Sequence, residues 1–142
     1  MSAQDNAATV RAVEEAWNTS DLDALDQHFA DDFDNSASAI PGVPSGLEGA
    51  KMVHQGAMQS FPDRSVEIVD LVADDDQVVV HGRITGTNQG GFELLGAGPN
   101  GNPIDFHFVG IYTMRDGKVA SHWGLNDAQT LWMQLHAGEN QG

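Results

Sequence analysis

The feature that most constrains this chain is a change of hydrophobic period at Pro62. Before it, apolar residues recur at three- and four-residue spacing: Val10, Val13 and Trp17, then Leu22, Leu25 and Phe29, then Ala50, Val53, Ala57 and Phe61. Such spacing gathers each set on one stripe of a helix. Asn18-Thr19-Ser20 interrupts the first series, and Ser20 with Asp23 three residues on reads as a new N-cap, so two short helices packed at an angle are expected there. The stretch Asp34 to Ser45 is rich in turn formers and reads as a loop; a third helix fits Leu47 to Phe61 and stops at Pro62. Beyond Pro62 the side chains alternate, with Val66, Ile68 and Asp70 opposite Glu67, Val69 and Leu71. The acidic turn DDDQ leads to VVVHGRITG, and a Gly/Pro/Asn-rich stretch from Gly90 to Pro103 separates that strand from Ile104 to Met114. Asp116-Gly117 then supplies the pair of a tight hairpin before a last strand, Val119 to Leu125. Asp127 to His136 reads as a closing helix with Leu131, Trp132 and Leu135 inward and Gly138 past its end.

Helices segregated before a meander predict an α+β architecture: three N-terminal helices against a curved antiparallel sheet of about four strands, with a short C-terminal helix. A bent sheet closed at one end by helices makes a cone that can hold a ligand. No repeat or low-complexity linker divides the 142 residues, so one domain over 1–142 is expected. The formal charge of −15 opposes nucleic acid and anionic membrane surfaces as partners. The absence of cysteine excludes disulfides, thiolate nucleophiles and cysteine-held metals. With no basic N-terminal region before an apolar run, and no apolar run long enough to span a bilayer, a cytoplasmic protein is expected. The six histidines show no ligand-spaced pair with an acid on one helix face, so no metal site is expected. Nucleophile-elbow, phosphate-loop and dinucleotide motifs are all missing.

Four segments, AWNTSDLDALDQHFADDF, GLEGAKMVHQGAMQSFPD, IYTMRDGKVASHW and LWMQLHAG, taken in this order and spacing, resemble the SnoaL-like polyketide cyclase family. That family has the cone-shaped α+β fold shared with nuclear transport factor 2 and ketosteroid isomerase. The resemblance implies tailoring of aromatic polyketides without metal or organic cofactor. In members that look like aldol cyclases, an Asp acts as acid/base; counted from the DGK turn it falls at Gly124, and its associated histidine falls at Gly110. The family's Asn after the second helix matches Asn35, which the resemblance makes a candidate for holding a substrate oxygen. Ring closure needs a base within about 3 Å of the acidic carbon, and glycine supplies none. A subgroup assigned to hydroxylation of the anthracycline ring resembles this chain better. There the resemblance implies that an electron-rich substrate itself activates dioxygen, while the protein orients it, excludes water and handles a proton.

The candidates divide by strand parity. His122, on the face of Gly124, is either a backbone-bonded structural histidine or a proton shuttle. Trp123 points to the other face unless a bulge at Gly124 exchanges the two. Asp127, with Asn126, is either an N-cap or an acid that orients His122. If Gly110 faces the cone, Phe106, Phe108 and Tyr112 form its wall, suited to a flat ring system, and Asp105 and His107 lie outside. Arg83 either pairs with an acid or anchors a substrate carbonyl; His54 lines the cavity mouth or is half-exposed; Trp17 and Phe61 are core or cavity lining. The expectation is thus an apolar hollow without a carboxylate, with His122, Asp127 and Asn35 catalytic and Trp17, His54, Phe61, Arg83, Phe108, Tyr112 and Trp123 binding substrate. The expected activity is cofactor-independent hydroxylation of an anthracycline-type polyketide, with a partner reductase as a further possibility. Rival readings are a cyclase with a relocated base, such as His107 or Asp105, and a non-catalytic ligand-binding dimer. A homodimer through the sheet faces is expected, since apolar residues stand on both of them.

Overall fold

The computed structural model describes residues 1–35 and 40–139. Helix α1, Ala3–Thr19, begins in a capping box: the Ser2 hydroxyl accepts the Asp5 N–H, and the Asp5 carboxylate accepts from the Ser2 backbone. It buries Val10, Val13 and Ala16 and ends at Ser20, which sits in the left-handed region at φ 57°. Ser20 was expected to start a second helix; it terminates the first. Only a single 3-10 turn, Leu22–Leu25, follows, and Phe29–Asp34 is strand β1 rather than a helical continuation. The reason lies in the register. Between the pairs Phe29–Val119 and Asp34–Ser121 the strand is irregular, so Phe29 and Phe33, four residues apart, are both buried and meet edge to face at 4.8 Å. A bulged strand has copied helical spacing.

Helix α2, Gly46–Ser60, matches the expected third helix and is followed by β2, Ser65–Ala73, and β3, Gln77–Thr87. In β2 the register slips between Ile68 and Asp70, which turns Val69 and Asp70 outward and brings Leu71 in line with Ile68. Strict alternation fails there for that reason. Strands β4, Pro103–Arg115, and β5, Lys118–Asn126, complete a five-stranded sheet in the order β1-β5-β4-β3-β2. The extra strand relative to expectation is β1, which joins parallel to β5, so the sheet is mixed. Asp116 at φ 52° and Gly117 at φ 77° form the hairpin turn that the Asp-Gly pair predicted. Helix α3, Ala128–Leu135, buries Leu131 and Leu135, while Trp132, expected inward, is 49% exposed and stacks on His136. No helix among the described residues is long and apolar enough to cross a membrane.

The sheet's inner face carries two apolar clusters. Val10, Val13, Phe29, Phe33, Val78, Val80, Tyr112 and Val119 pack under α1; Phe61, Ile84, Ile104, Phe106, Leu131 and Leu135 pack under α3 and the end of α2. Phe108 touches both, because its ring lies over Gly82 on the neighbouring strand, where a Cβ would fall 2.2 Å from Cε1. The stretch between β3 and β4 is braced by asparagines. Asn88 is fully buried and bonds Gly98, Asn100 and Gly91, while Asn100 and Asn102 reach the last carbonyls of α3.

This bracing brings Gly90 against the end of α2, where its N–H donates to the Ser60 carbonyl and a Cβ would lie 2.0 Å from the Gln59 carbonyl oxygen. Backbone cannot swing aside as a side chain can. Gly90→Ala is expected to destabilise the fold by about 3 kcal/mol, the upper end of overpacking costs, with the urea midpoint as the measurement.

Candidate active site in the sheet interior

Register builds the site. Three successive cross-strand rows on the inner face read Val78–Tyr112–His122, Val80–Gly110–Gly124 and Gly82–Phe108–Asn126. The middle row contributes two glycines side by side, so it has no side chains over β4 and β5. His122 leans into that gap: a Cβ on Gly110 would stand 3.0 Å from its Nε2, and a Cβ on Gly124 3.0 Å from its Cε1. The imidazole therefore occupies the space that the resemblance assigns to a His and an Asp. Its other contact is the Tyr112 ring, 4.6 Å between centroids. Neither ring nitrogen has a hydrogen-bond partner among the described residues. Burial alone lowers the His122 pKa to about 4, so the ring is neutral at physiological pH.

Below it, the Tyr112 hydroxyl donates to Glu14 Oε1 at 2.5 Å. Both groups are buried, at 4% and 7% exposure. Burial raises the Glu14 pKa, opposed by the Tyr112 hydrogen bond and by the Arg64 charge. Burial also raises Tyr112, reinforced by Glu14, so the phenol keeps its proton and acts as donor. An apolar interior without a carboxylate was expected; Glu14 supplies one. The sequence held a signal for it, because Glu14 follows Val10 by four and precedes Trp17 by three, on the apolar stripe itself.

Arg64, between α2 and β2, is half-buried. Its charge is felt by Glu14 and by His54, yet it forms no hydrogen bond or ion pair among the described residues. No local pattern marks it. His54 is buried rather than half-exposed. Its Nε2 bonds the Ser20 hydroxyl at 3.0 Å, its ring tilts against Trp17 at 5.1 Å, and burial followed by the Arg64 charge lowers its pKa.

The remaining candidates disperse. Asn35 is half-buried, one position past the Asp34–Ser121 pair and so beside the His122 end of β5. Phe61 is core, packed on Phe92, and Phe108 is half-buried between the two clusters. Asp127 does not reach His122: its carboxylate caps α3, accepting from the Thr130 N–H at 3.1 Å and hydroxyl at 2.6 Å, as an Asp preceding a helix readily does. Arg83 is on the outer face in a two-pronged bond to Asp105, at 2.7 and 2.5 Å, which removes it from the interior. Trp123, paired with Ile111, is on that same outer face and 45% exposed. His107 also lies outside, bonded to His81 at 2.7 Å, so neither it nor Asp105 replaces a base inside. A groove of about 320 Å³ is lined by outer-face Gln77, Ile111, Thr113, Ser121 and Trp123 and also by Asp34 and His122 at the β1 edge. Among the described residues no group of three His, Asp or Glu side chains is placed to hold a metal ion.

Fold and interior together define a cone-fold protein with a single bare imidazole over a glycine gap. The chain belongs to the SnoaL-like polyketide cyclase family, whose model matches residues 7–135. TsrD of Streptomyces laurentii is similar in structure, with TM-score 0.84 and 23% identity over 96% of this chain and 98% of that one. AclR of Streptomyces galilaeus, provisionally assigned as a hydroxylase, is 26% identical with TM-score 0.79, covering 94% and 82% of the two chains. IdmH of Streptomyces antibioticus, provisionally assigned as a polyketide cyclase, is 29% identical with TM-score 0.77 over 92% and 97%. No curated protein matches the chain.

The His122 environment has a stability consequence. Its folded pKa, about 4, lies below the ordinary 6.5, so the unfolded chain binds the extra proton between those values. The neutral ring's contribution is whole above pH 6.5 and disappears as pH falls to 4, a loss of about 3 kcal/mol. Urea midpoints of wild type should fall more steeply across this window than those of His122→Asn, and parallel curves would refute the assignment.

Proposed function

We propose that this protein is a tailoring enzyme of aromatic polyketide biosynthesis that hydroxylates a ring carbon, with His122 moving the proton. The observation that carries the reading is the unpartnered imidazole spread over Gly110 and Gly124. An aldol closure asks for proton removal from carbon and proton delivery to the new alkoxide, the work of two ionisable side chains in the cyclases this chain resembles. One neutral imidazole meets the smaller demand of oxygenation: it accepts the hydrogen bond of a quinol-type O–H and, with its own pKa at about 4, takes the proton only as loss of electrons to dioxygen makes that group strongly acidic. The electrons then come from substrate: hydroquinone and dioxygen give hydroxylated quinone and water, and atoms and electrons balance. Asn35, beside the same end of β5, is suited to hold a substrate oxygen; Trp17 and Phe108 offer flat apolar surface. A separate reductase would renew the hydroquinone.

Cyclisation is the second reading, favoured by the same ring standing in the space of the family's acid/base. Dioxygen separates the two. With a reduced anthracyclinone, product formation should stop under nitrogen and fall on the order of 100-fold in His122→Asn. Ring closure of an open-chain polyketide ester under nitrogen, lost in the same variant, would instead establish the cyclase.

We also infer a homodimer through the outer sheet face, where Val109, Trp123 and Leu125 stand 37%, 45% and 61% exposed. Sedimentation equilibrium should give a dimer for wild type and a monomer for Trp123→Asp.

A further inference from the structure

Arg64 is anchored at its base and free at its tip. Its N–H donates to the Phe61 carbonyl at 3.0 Å, the adjoining Val66 N–H donates to Asn18 Oδ1 at 2.9 Å, and its Cα packs 3.4 Å from where a Cβ on Gly86 would sit. The guanidinium carries five donors and, among the described residues, none is used. Glu14 and His54 lie close enough to feel its charge, yet Glu14 bonds Tyr112 and His54 bonds Ser20. A half-buried cation without partners costs stability, so its retention calls for something that binds it in the working state.

We propose that Arg64 is the binding residue for an ionised ring oxygen, a phenolate or enolate of the substrate. This rests on the polyketide reading for the larger substrate but not for the oxygen class. The proton step balances: the substrate O–H bond breaks, the proton passes to water, and the negative charge left on the oxygen is opposed by the Arg64 guanidinium. A neutral phenol fits better than a preformed carboxylate, because a chain of formal charge −15 repels an incoming anion at long range. Arginine presents a planar fork to such an oxygen and to a neighbouring carbonyl, as in a peri-hydroxyquinone.

Two probes test this: 4-nitrophenol, and 1,8-dihydroxyanthraquinone as a polyketide-like ring system. In wild type the bound phenol should ionise at least one pH unit below the free phenol, read from phenolate absorbance. Arg64→Lys should keep most of that displacement, whereas Arg64→Met should abolish it and weaken 4-nitrophenol binding about 10-fold or more, with unchanged circular dichroism. Equal ionisation in wild type and Arg64→Met, or no binding of either probe to wild type, overturns the proposal. Ionisation of 4-nitrophenol at Arg64 with no binding of the anthraquinone supports the oxygen site while the polyketide reading falls.

Discussion

The hydrogen bond from Tyr112 to Glu14 fixes the rest of the interior. It joins residues 98 positions apart and ties α1 to the C-terminal part of β4. The penalty for leaving one end of a buried hydrogen bond unpaired exceeds the gain from making it. Helix α1 therefore cannot rotate or slide along the sheet without stranding a carboxylate. With α1 held, the Tyr112 ring is held, and the imidazole of His122 rests on that ring. The same helix carries Trp17, against which His54 packs, so α2 inherits its position from the same link.

Local chemistry was readable in the sequence and long-range chemistry was not. Asp116-Gly117 announces its turn because the backbone conformation needs those residue types, whatever surrounds them. Helix α2 was legible from its stripe and from Pro62. The side facing inward on β5 is harder. The pairs Met114–Val119 and Thr113–Ser121 leave Ala120 over as a bulge, so strict alternation from buried Val119 would have put Trp123 inside and His122 outside. The resemblance, through Gly110 and Gly124, gave the correct side. Glu14 was overlooked because an acid beside another acid on a helix reads as solvated surface. Arg64 was overlooked because its burial depends on α1, α2 and β2 arriving together. Asp127, Arg83 and Trp123 lie away from the interior, and scarcity or proximity in sequence says nothing about which face a strand presents.

The outer face shows what becomes of polar side chains that the interior excludes. Asp70, His81 and His107 form a hydrogen-bonded chain across β2, β3 and β4, at 3.2 and 2.7 Å. Arg83 and Asp105 pair in the next row, and Gln134 of α3 bonds the backbone of Asp105 from both ends of its amide. Cross-strand pairing of this kind stabilises the sheet by tenths of a kcal/mol to about 1 kcal/mol per pair, and it lets one face stay polar while Val109, Trp123 and Leu125 remain apolar beside it. The two faces thus divide the labour: cross-strand pairs of charged and polar groups outside, and inside an acid bonded to Tyr112 with a neutral imidazole above two glycines.

That division explains how so acidic a chain can keep an arginine effective. Surface carboxylates such as those of Asp74 and Asp63 are exposed and already engaged with neighbouring N–H groups. Solvent and salt screen them within about 8 Å. Glu14 is buried beside the Arg64 charge, which opposes the effect of burial on its carboxyl, so that pair interacts through less water than any pair of surface groups. The Arg64 charge therefore acts on Glu14 and His54, while burial alone keeps the imidazole above the two glycines neutral.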